Sequence, residues 1–430
     1  MKSKKILFVL FIFYSIGLKA QEADQRIGDI INRADWFALE EEYPKLKNKM
    51  QSEMLKILSE VLINRHFNNP DKAILMIDSL LQYHQQELGF ESSGNIVVLK
   101  SQILGEEGRY AESADNSTNF LEQVKAFYSE DNFPTHVATA KYYNKVRNES
   151  QPEIIRPNND TKIPMFIEKA GKGTLMFVPV TVKGKEYRFI FDTGAGINFV
   201  SERFANEVGL RIIHDSLTIT GIKQGIGKMG TIDSLIVGDI VYKHPLIAIA
   251  APNPAVDTIY QVDAVLGLDF IKRIGETQIF PSLGEIVFPK NQSALPKTGR
   301  NLLIQNNEQP YLKIYTKKER LFFHFDTGNV SSDLHVPYYL RHKKQIKKRG
   351  TKEVIRSGGF GGISYIDGYR LPKIPLKIGT TNFEFRNITV ATDAIGDFQQ
   401  KEDGALGMSF IKLFEKVTVN FDKMFVDVEK

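Results

Sequence analysis

The run Phe189-Ile190-Phe191-Asp192-Thr193-Gly194 returns 134 positions later as Phe323-His324-Phe325-Asp326-Thr327-Gly328. Two further features follow each copy in the same order. A glycine-rich stretch at Gly221–Gly230 is matched by one at Gly358–Gly362, and Asp263-Ala264-Val265-Leu266-Gly267 is echoed 140 positions on by Asp403-Gly404-Ala405-Leu406-Gly407. Each copy closes with a hairpin-like pair, Thr277–Phe280 with Glu285–Phe288 and Val417–Phe421 with Met424–Val428. Residue frequencies of about 5–7% put a single Asp-Thr-Gly in about one in ten chains of this length by chance. Two of them at equivalent points of a repeated unit restrict the chain to a duplicated architecture.

The repeated part is β-rich. Short apolar runs such as Leu175–Val182, Tyr187–Phe191, Leu235–Val241, Tyr311–Tyr315 and Leu321–Phe325 are punctuated by glycine, asparagine and proline. The part before it has a different period. From Glu22 to about Tyr143 apolar residues recur every three to four positions, as in Met54, Leu55, Leu58, Val61 and Leu62, with breaks at Asn68-Asn69-Pro70 and Gly89–Gly94. The stretch Leu99–Ala114 has the cadence of helix, tight turn, helix. It resembles a tetratricopeptide hairpin, and a generic helical bundle fits it equally well. Trp36 reads as a core residue. The polar segment around Pro152, Pro157, Asn158 and Asn159 reads as a linker. The expected organisation is therefore a helical region over 21–147, a linker over 148–163, and two β lobes over 164–295 and 296–430.

The paired aspartates suit one chemistry. Hydrolysing a peptide bond without a metal or a covalent intermediate requires one group to take a proton from water and another to give one to the carbonyl oxygen. Two carboxyls about 3 Å apart cannot both ionise, share one proton and can do both jobs. The alternative for each Asp-Thr-Gly is an ordinary turn in which aspartate caps a strand end and glycine takes a positive φ. No histidine and carboxylate spacing suggests a zinc site. The chain has no cysteine, which excludes a thiol nucleophile and disulfide bonds. His324 is expected to point away from the pair because strand neighbours face opposite ways, and His214 and His244 read as structural.

From about Pro164 to Lys430 the chain resembles the aspartic peptidases, both the bilobal pepsin-like enzymes and the retroviral retropepsins, which pair one Asp-Thr-Gly from each of two chains. The resemblance implies a multidomain α plus all-β protein, a helical region followed by a bilobal, β-barrel-like aspartic protease fold with internal duplication. It makes Asp192 and Asp326 the catalytic pair. Thr193, Gly194, Thr327 and Gly328 would hold their loops, with Leu266, Gly267, Leu406 and Gly407 as supports beneath. Gly225, Ile226 and Gly227 in one lobe and Gly359, Phe360 and Gly361 in the other would be the tips of two substrate-binding flaps, with Tyr365 a candidate flap tyrosine. No cofactor is implied. Ala195 fits the retropepsin loop, whereas Asn329-Val330 fits neither pattern, which puts the setting of the second aspartate in question. A non-catalytic peptide-binding or scaffold protein that keeps the fold is the alternative reading.

Composition bears on location and partners. Met1-Lys2-Ser3-Lys4-Lys5, an apolar stretch Ile6–Leu18, and Leu18-Lys19-Ala20 before Gln21 form the layout of a secretory signal peptide over 1–20. The apolar stretch is shorter than the roughly 20 residues of a membrane span, so no stable membrane insertion is expected after cleavage, and the protein is expected in the periplasm or secreted. The net charge of +5 includes Lys2, Lys4, Lys5 and Lys19, and falls to +1 without them. The one basic run, His342–Arg349, reads as a solvated helix face, so nucleic acid is not expected as a partner. The expected partners are a peptide or protein substrate, with the helical region as scaffold, targeting module or removable pro-segment that could hold a further protein.

Overall fold

The structure, a computed structural model, describes residues 20–126, 132–170, 173–220, 224–251, 263–305, 309–359, 362–394 and 401–430. The expected signal segment up to Lys19 lies outside the described residues. Two compact units divide the chain between Gln151 and Pro152.

The first unit is helical: α1 (Ala20–Asn32), α2 (Trp36–Leu46), α3 (Glu53–His66), α4 (Pro70–Tyr83), α5 (Gln85–Leu88), α6 (Phe90–Glu106), α7 (Tyr110–Val124) and α8 (Pro134–Val146). Side-chain caps start two of them: Asp35 accepts from the Ala38 N–H and Ser52 from the Leu55 N–H. Consecutive helices pack together, α3 on α4, α6 on α7 and α7 on α8. At Gly105 a side chain would collide with the Tyr143 ring, so α6 and α8 approach closely there. Between α6 and α7 the Ser113 hydroxyl donates to the Ser101 carbonyl at 2.6 Å, and Asn116 donates to the Val97 carbonyl at 2.9 Å. Trp36 is buried and stacks on His66, 4.3 Å between ring centres. No described helix is long and apolar enough to cross a membrane.

The second unit is two β lobes joined by a shared sheet. Lobe 1 contains β1 (Glu153–Ile155), β2 (Thr161–Pro164), β3 (Phe166–Ala170), β4 (Gly173–Val182), β5 (Lys185–Phe191), β6 (Asn198–Ser201), α9 (Glu202–Val208), β7 (Arg211–Thr220), β8 (Gln224–Thr231), β9 (Ser234–Val237), β10 (Ile240–Lys243), β11 (Leu246–Ala250), β12 (Ala264–Leu266), α10 (Leu268–Arg273), β13 (Glu276–Phe280) and β14 (Glu285–Phe288). Lobe 2 contains β15 (Leu302–Ile304), β16 (Pro310–Tyr315), β17 (Arg320–Phe325), β18 (Asp333–Leu334), α11 (Val336–Arg349), β19 (Thr351–Gly359), β20 (Gly362–Ile378), β21 (Thr381–Ala391), β22 (Gly404–Leu406), α12 (Met408–Ile411), β23 (Lys416–Asn420) and β24 (Phe425–Glu429).

The strand registers repeat the sequence shift. Phe177 pairs with Ile190 and Ile190 with Val265 in lobe 1; Tyr311 pairs with His324 and His324 with Ala405 in lobe 2. Thr181 meets Ile236 in the first lobe, and Tyr315, 134 positions on, meets Lys377 in the second, closing the lobe 2 sheet into a barrel. One long strand, β20, does in lobe 2 what β8 and β9 share in lobe 1.

The segment expected as a linker is not free chain. β1 adds to the edge of the lobe 1 sheet beside β10, and β2 pairs with β14. Arg156 between them donates to the carbonyls of Ile274, Phe288 and Pro289. β1 escaped notice because only its middle residue is partly buried, so it lacks the apolar alternation that marks a strand.

The shared sheet runs β2-β14-β13-β23-β24 and carries a buried carboxylate where the lobes meet. Glu276, fully buried, faces Asn420 across β13 and β23. It accepts from the Asn420 amide, the Ser293 N–H and the Ser293 hydroxyl, each at 2.7 Å. Glu276→Ala strands buried donors on both sides of the junction and is expected to destabilise the β unit by about 3 kcal/mol. Urea unfolding followed by tyrosine fluorescence measures this, and an unchanged midpoint would show that the junction does not depend on this carboxylate.

Candidate active site

Strands β5 and β17 each end in an aromatic pair that faces the core. Phe189, Phe191, Phe323 and Phe325 are all buried, which fixes where Asp192 and Asp326 emerge. Each loop is tied down in the same way. The Asp192 N–H donates to the Leu266 carbonyl at 3.1 Å and the Asp326 N–H to the Leu406 carbonyl at 2.9 Å. The Leu268 N–H donates to the Ala195 carbonyl, and the Met408 N–H to the Asn329 carbonyl. Gly267 and Gly407 lie against the loops so closely that a side chain on either would meet carbonyl oxygens at 2.4 and 2.3 Å. Leu266, Gly267, Leu406 and Gly407 thus sit under the aspartate loops.

The threonines lock the two loops together. The Thr193 hydroxyl donates to the Phe325 carbonyl at 2.8 Å and the Thr327 hydroxyl to the Phe191 carbonyl at 2.7 Å. In return the Thr193 N–H donates to the Thr327 hydroxyl oxygen and the Thr327 N–H to the Thr193 hydroxyl oxygen, at 3.0 and 3.1 Å. These four buried bonds cross between lobes and satisfy every polar group involved.

The glycines serve a purpose other than the tight turn that the sequence suggests. Neither Gly194 nor Gly328 has a positive φ. A side chain at Gly194 would lie 2.4 Å from the Asp326 carboxyl carbon, and one at Gly328 would lie 2.2 Å from an Asp192 oxygen. Each glycine makes room for the other lobe's carboxyl.

The two carboxyls consequently meet, half-buried, at the loop crossing, each beside the other lobe's glycine. Asp192 Oδ1 also accepts from the Gly194 N–H at 2.7 Å and the Gly328 N–H at 3.1 Å. Burial, then the neighbouring Asp326, holds the Asp192 carboxyl well above the ordinary carboxylate range. Burial also pushes Asp326 up, to about 6, against the N–H groups of Gly328 and Asn329 that favour its charged form. Such a pair titrates as a unit.

Three supporting residues were missed. Asn198 Oδ1 accepts from the Gly267 N–H at 3.1 Å and Ser332 Oγ from the Gly407 N–H at 3.0 Å. They are separated by the same 134 positions, so the repeat itself carried the signal. Gln309 donates to the Gly194 carbonyl at 2.9 Å, binding lobe 2 to the lobe 1 loop, and nothing in the sequence marks it.

The flap assignments need correction. Gly225, Ile226 and Gly227 are not at a tip but lie within β8, paired with Ile219, Thr218 and Leu217 of β7; Ile226 is 69% exposed. The chain between β7 and β8 lies outside the described residues, as do Phe360 and Gly361 between β19 and β20. Gly359 is the last residue of β19, opposite Gly362. Tyr365, opposite Arg356 in this second hairpin, is 66% exposed. Beside the Asp326 loop a cavity of about 440 Å³ is bounded by Gly173, Thr174, Val330, Ser409 and the two lysines Lys169 and Lys412.

Residues 178–270, within lobe 1, match the family model described as aspartyl protease. No curated protein matches the chain. Among solved structures the chain is similar to the crystal structure of basic 7S globulin from soybean, at 13% identity and a TM-score of 0.40, over 64% of this chain and 95% of that one.

Proposed function

We propose that the chain is an exported aspartic endopeptidase, its water activated between Asp192 and Asp326. The observation that carries this reading is the meeting of two carboxyls, each admitted by the other lobe's glycine. The ionised member takes a proton from the water as its oxygen attacks the scissile carbonyl, and the protonated member gives its proton to the carbonyl oxygen. Collapse of the resulting gem-diol breaks the C–N bond, with a proton passing to the leaving nitrogen. The threonine bonds keep both loops from moving apart during these transfers. An extended peptide would lie across the crossing, adding a strand to the hairpins. Export rests on the N-terminal pattern of charge, apolar run and small residue. The helical region is proposed as a scaffold for a protein partner, and neither nucleic acid nor a membrane is needed by the reaction.

Digestion of a peptide library, read by mass spectrometry, tests this. Cleavage at internal bonds is expected. Peptides retained intact would instead identify a binding protein. Cleavage is also expected to depend on pH in a particular sense. The dyad works with one shared proton, and both carboxyls are held above the usual range. Activity should therefore persist at pH 5, where an unperturbed carboxyl is already ionised, and fall as the pH rises and the shared proton is lost. A kcat/KM profile still rising at pH 8 would be incompatible with a dyad mechanism.

A further inference from the structure

The two lobes differ chemically just behind the aspartates. In lobe 1, four neighbouring strands place Phe177, Ile190, Val265 and Phe199 side by side, a hydrocarbon row packed with Leu175 and Ala195. The equivalent row in lobe 2 is Tyr311, His324, Ala405 and Asp333. The duplication preserved the register and replaced hydrocarbon with titratable groups.

Two more buried residues complete the lobe 2 cluster. His335 is 2% exposed and Glu402 is fully buried. His335 lies between two carboxylates, with Nε2 3.2 Å from Asp333 Oδ1 and Nδ1 3.1 Å from Glu402 Oε1. The second approach is close but off the line of a good hydrogen bond, and neither Glu402 oxygen has a well-aligned donor among the described residues. The Tyr311 hydroxyl faces Glu402 from β16. From β17, His324 is buried and neutral, because burial lowers its pKa, and its Nε2 has no partner among the described residues. Asp403, next to Glu402, is instead held by the Phe322 N–H and by Arg341 of α11. Burial alone would discharge His335, yet Asp333 and Glu402 push its pKa up to about 10. The His335 imidazolium thus stands between the Asp333 and Glu402 side chains, and Asp333 acts on Asp326 to raise its pKa.

We propose that His335 is a positioning residue: clamped between Asp333 and Glu402 behind the Asp326 loop, its imidazolium sets the charge on one side of the dyad and hence the pH at which the shared proton is given up. This rests on the endopeptidase reading, and concerns a group that does not touch substrate. β22 lies between β17 and β18, and across those two strand spacings one buried charge moves another group's titration by about one pH unit. The two perturbations have opposite signs. His335→Gln leaves two carboxylates unopposed and should move the alkaline limb of the kcat/KM profile up by about one unit. Asp333→Asn removes the carboxyl that raises Asp326 and should move it down by a similar amount.

Both variants are measured in two ways: the pH profile of peptide cleavage, and the carboxyl ¹³C resonances of the dyad, recognised by their loss in Asp326→Asn. Asp333→Asn is isosteric, so it reports even if His335→Gln folds poorly. Opposite displacements support the proposal. Equal losses at every pH, or displacements of one sign in both variants, overturn it in favour of a purely structural cluster. The resonances titrate whether or not peptide is cleaved. Opposite displacements without cleavage would keep this inference and sink the endopeptidase reading, while cleavage with an unmoved limb would do the reverse.

Discussion

Asp192→Asn and Asp326→Asn are each expected to lower kcat/KM by about 10⁴-fold while leaving the chain folded. One carboxyl cannot be acid and base in the same step, and an amide supplies neither function. Asparagine keeps the shape and the acceptor oxygen, so at position 192 it can still receive the Gly194 and Gly328 N–H groups. Stability should separate lost chemistry from lost structure. Both aspartates titrate higher in the folded chain than an exposed carboxyl does. A group raised on folding favours the folded state fully below its unfolded pKa, about 4, and that contribution disappears as the pH rises through the folded value. The wild type therefore bears the cost of the dyad at pH 8 and much less of it at pH 4. Either asparagine variant should match or exceed the wild type's urea midpoint at pH 8. An inactive variant that is also strongly destabilised at pH 8 would show that the aspartates hold the fold rather than carry the reaction.

Gly194→Ala and Gly328→Ala are expected to cost about 10³-fold in activity through a displacement of about 1 Å or more at the dyad. Neither position has a positive φ, so alanine's backbone is permitted and the effect is purely that of one methyl group. That methyl would lie 2.4 Å from the Asp326 carboxyl carbon in one case and 2.2 Å from an Asp192 oxygen in the other. Relief requires the carboxyls to separate or the threonine bonds to break, with a stability cost of about 1–3 kcal/mol. Gly184→Ala provides the contrast. Gly184 has φ +81° and nothing within 4 Å of its missing side chain, so alanine there strains a turn far from the dyad and should cost about 1 kcal/mol without loss of activity. Activity in Gly194→Ala equal to wild type would contradict the crossing of carboxyls over glycine.

The sequence made some of this legible and hid the rest for physical reasons. The duplication was visible because each of its strands ends in a buried apolar or aromatic run, Phe189 to Phe191 and Phe323 to Phe325, with the aspartate at the same place after each. Asp192 and Asp326 could be read as a pair because a single shift relates them. The purpose of Gly194 and Gly328 could not, since a short sequence suggests a turn and only the crossing of two distant loops reveals which atom needs the space. β1 and β2 were hidden by a polar composition that suits an edge strand as well as a linker. Gly225–Gly227 fell inside β8 because glycine is a poor guide to where a hairpin turns. His324 was expected to point off the dyad, but two positions before Asp326 it shares that side of β17, and Asp192 acts on its charge. Its neighbours Tyr311, Glu402 and His335 were not foreseeable, because they come together only through the pairing of β16, β17, β22 and β18.

The Thr193–Thr327 bonds join residues 134 positions apart, and Gly194 and Gly328 admit aspartates 132 and 136 positions away in the same chain, whereas retropepsins assemble their pair from two chains. Mixing purified Asp192→Asn with Asp326→Asn and assaying peptide cleavage tests this most directly. If each chain builds its own dyad, every molecule in the mixture has one carboxyl and one amide, and the mixture stays as inactive as its components at any concentration. Substantial activity appearing on mixing, and rising with protein concentration, would mean that the dyad forms between chains, and the single-chain site would be wrong.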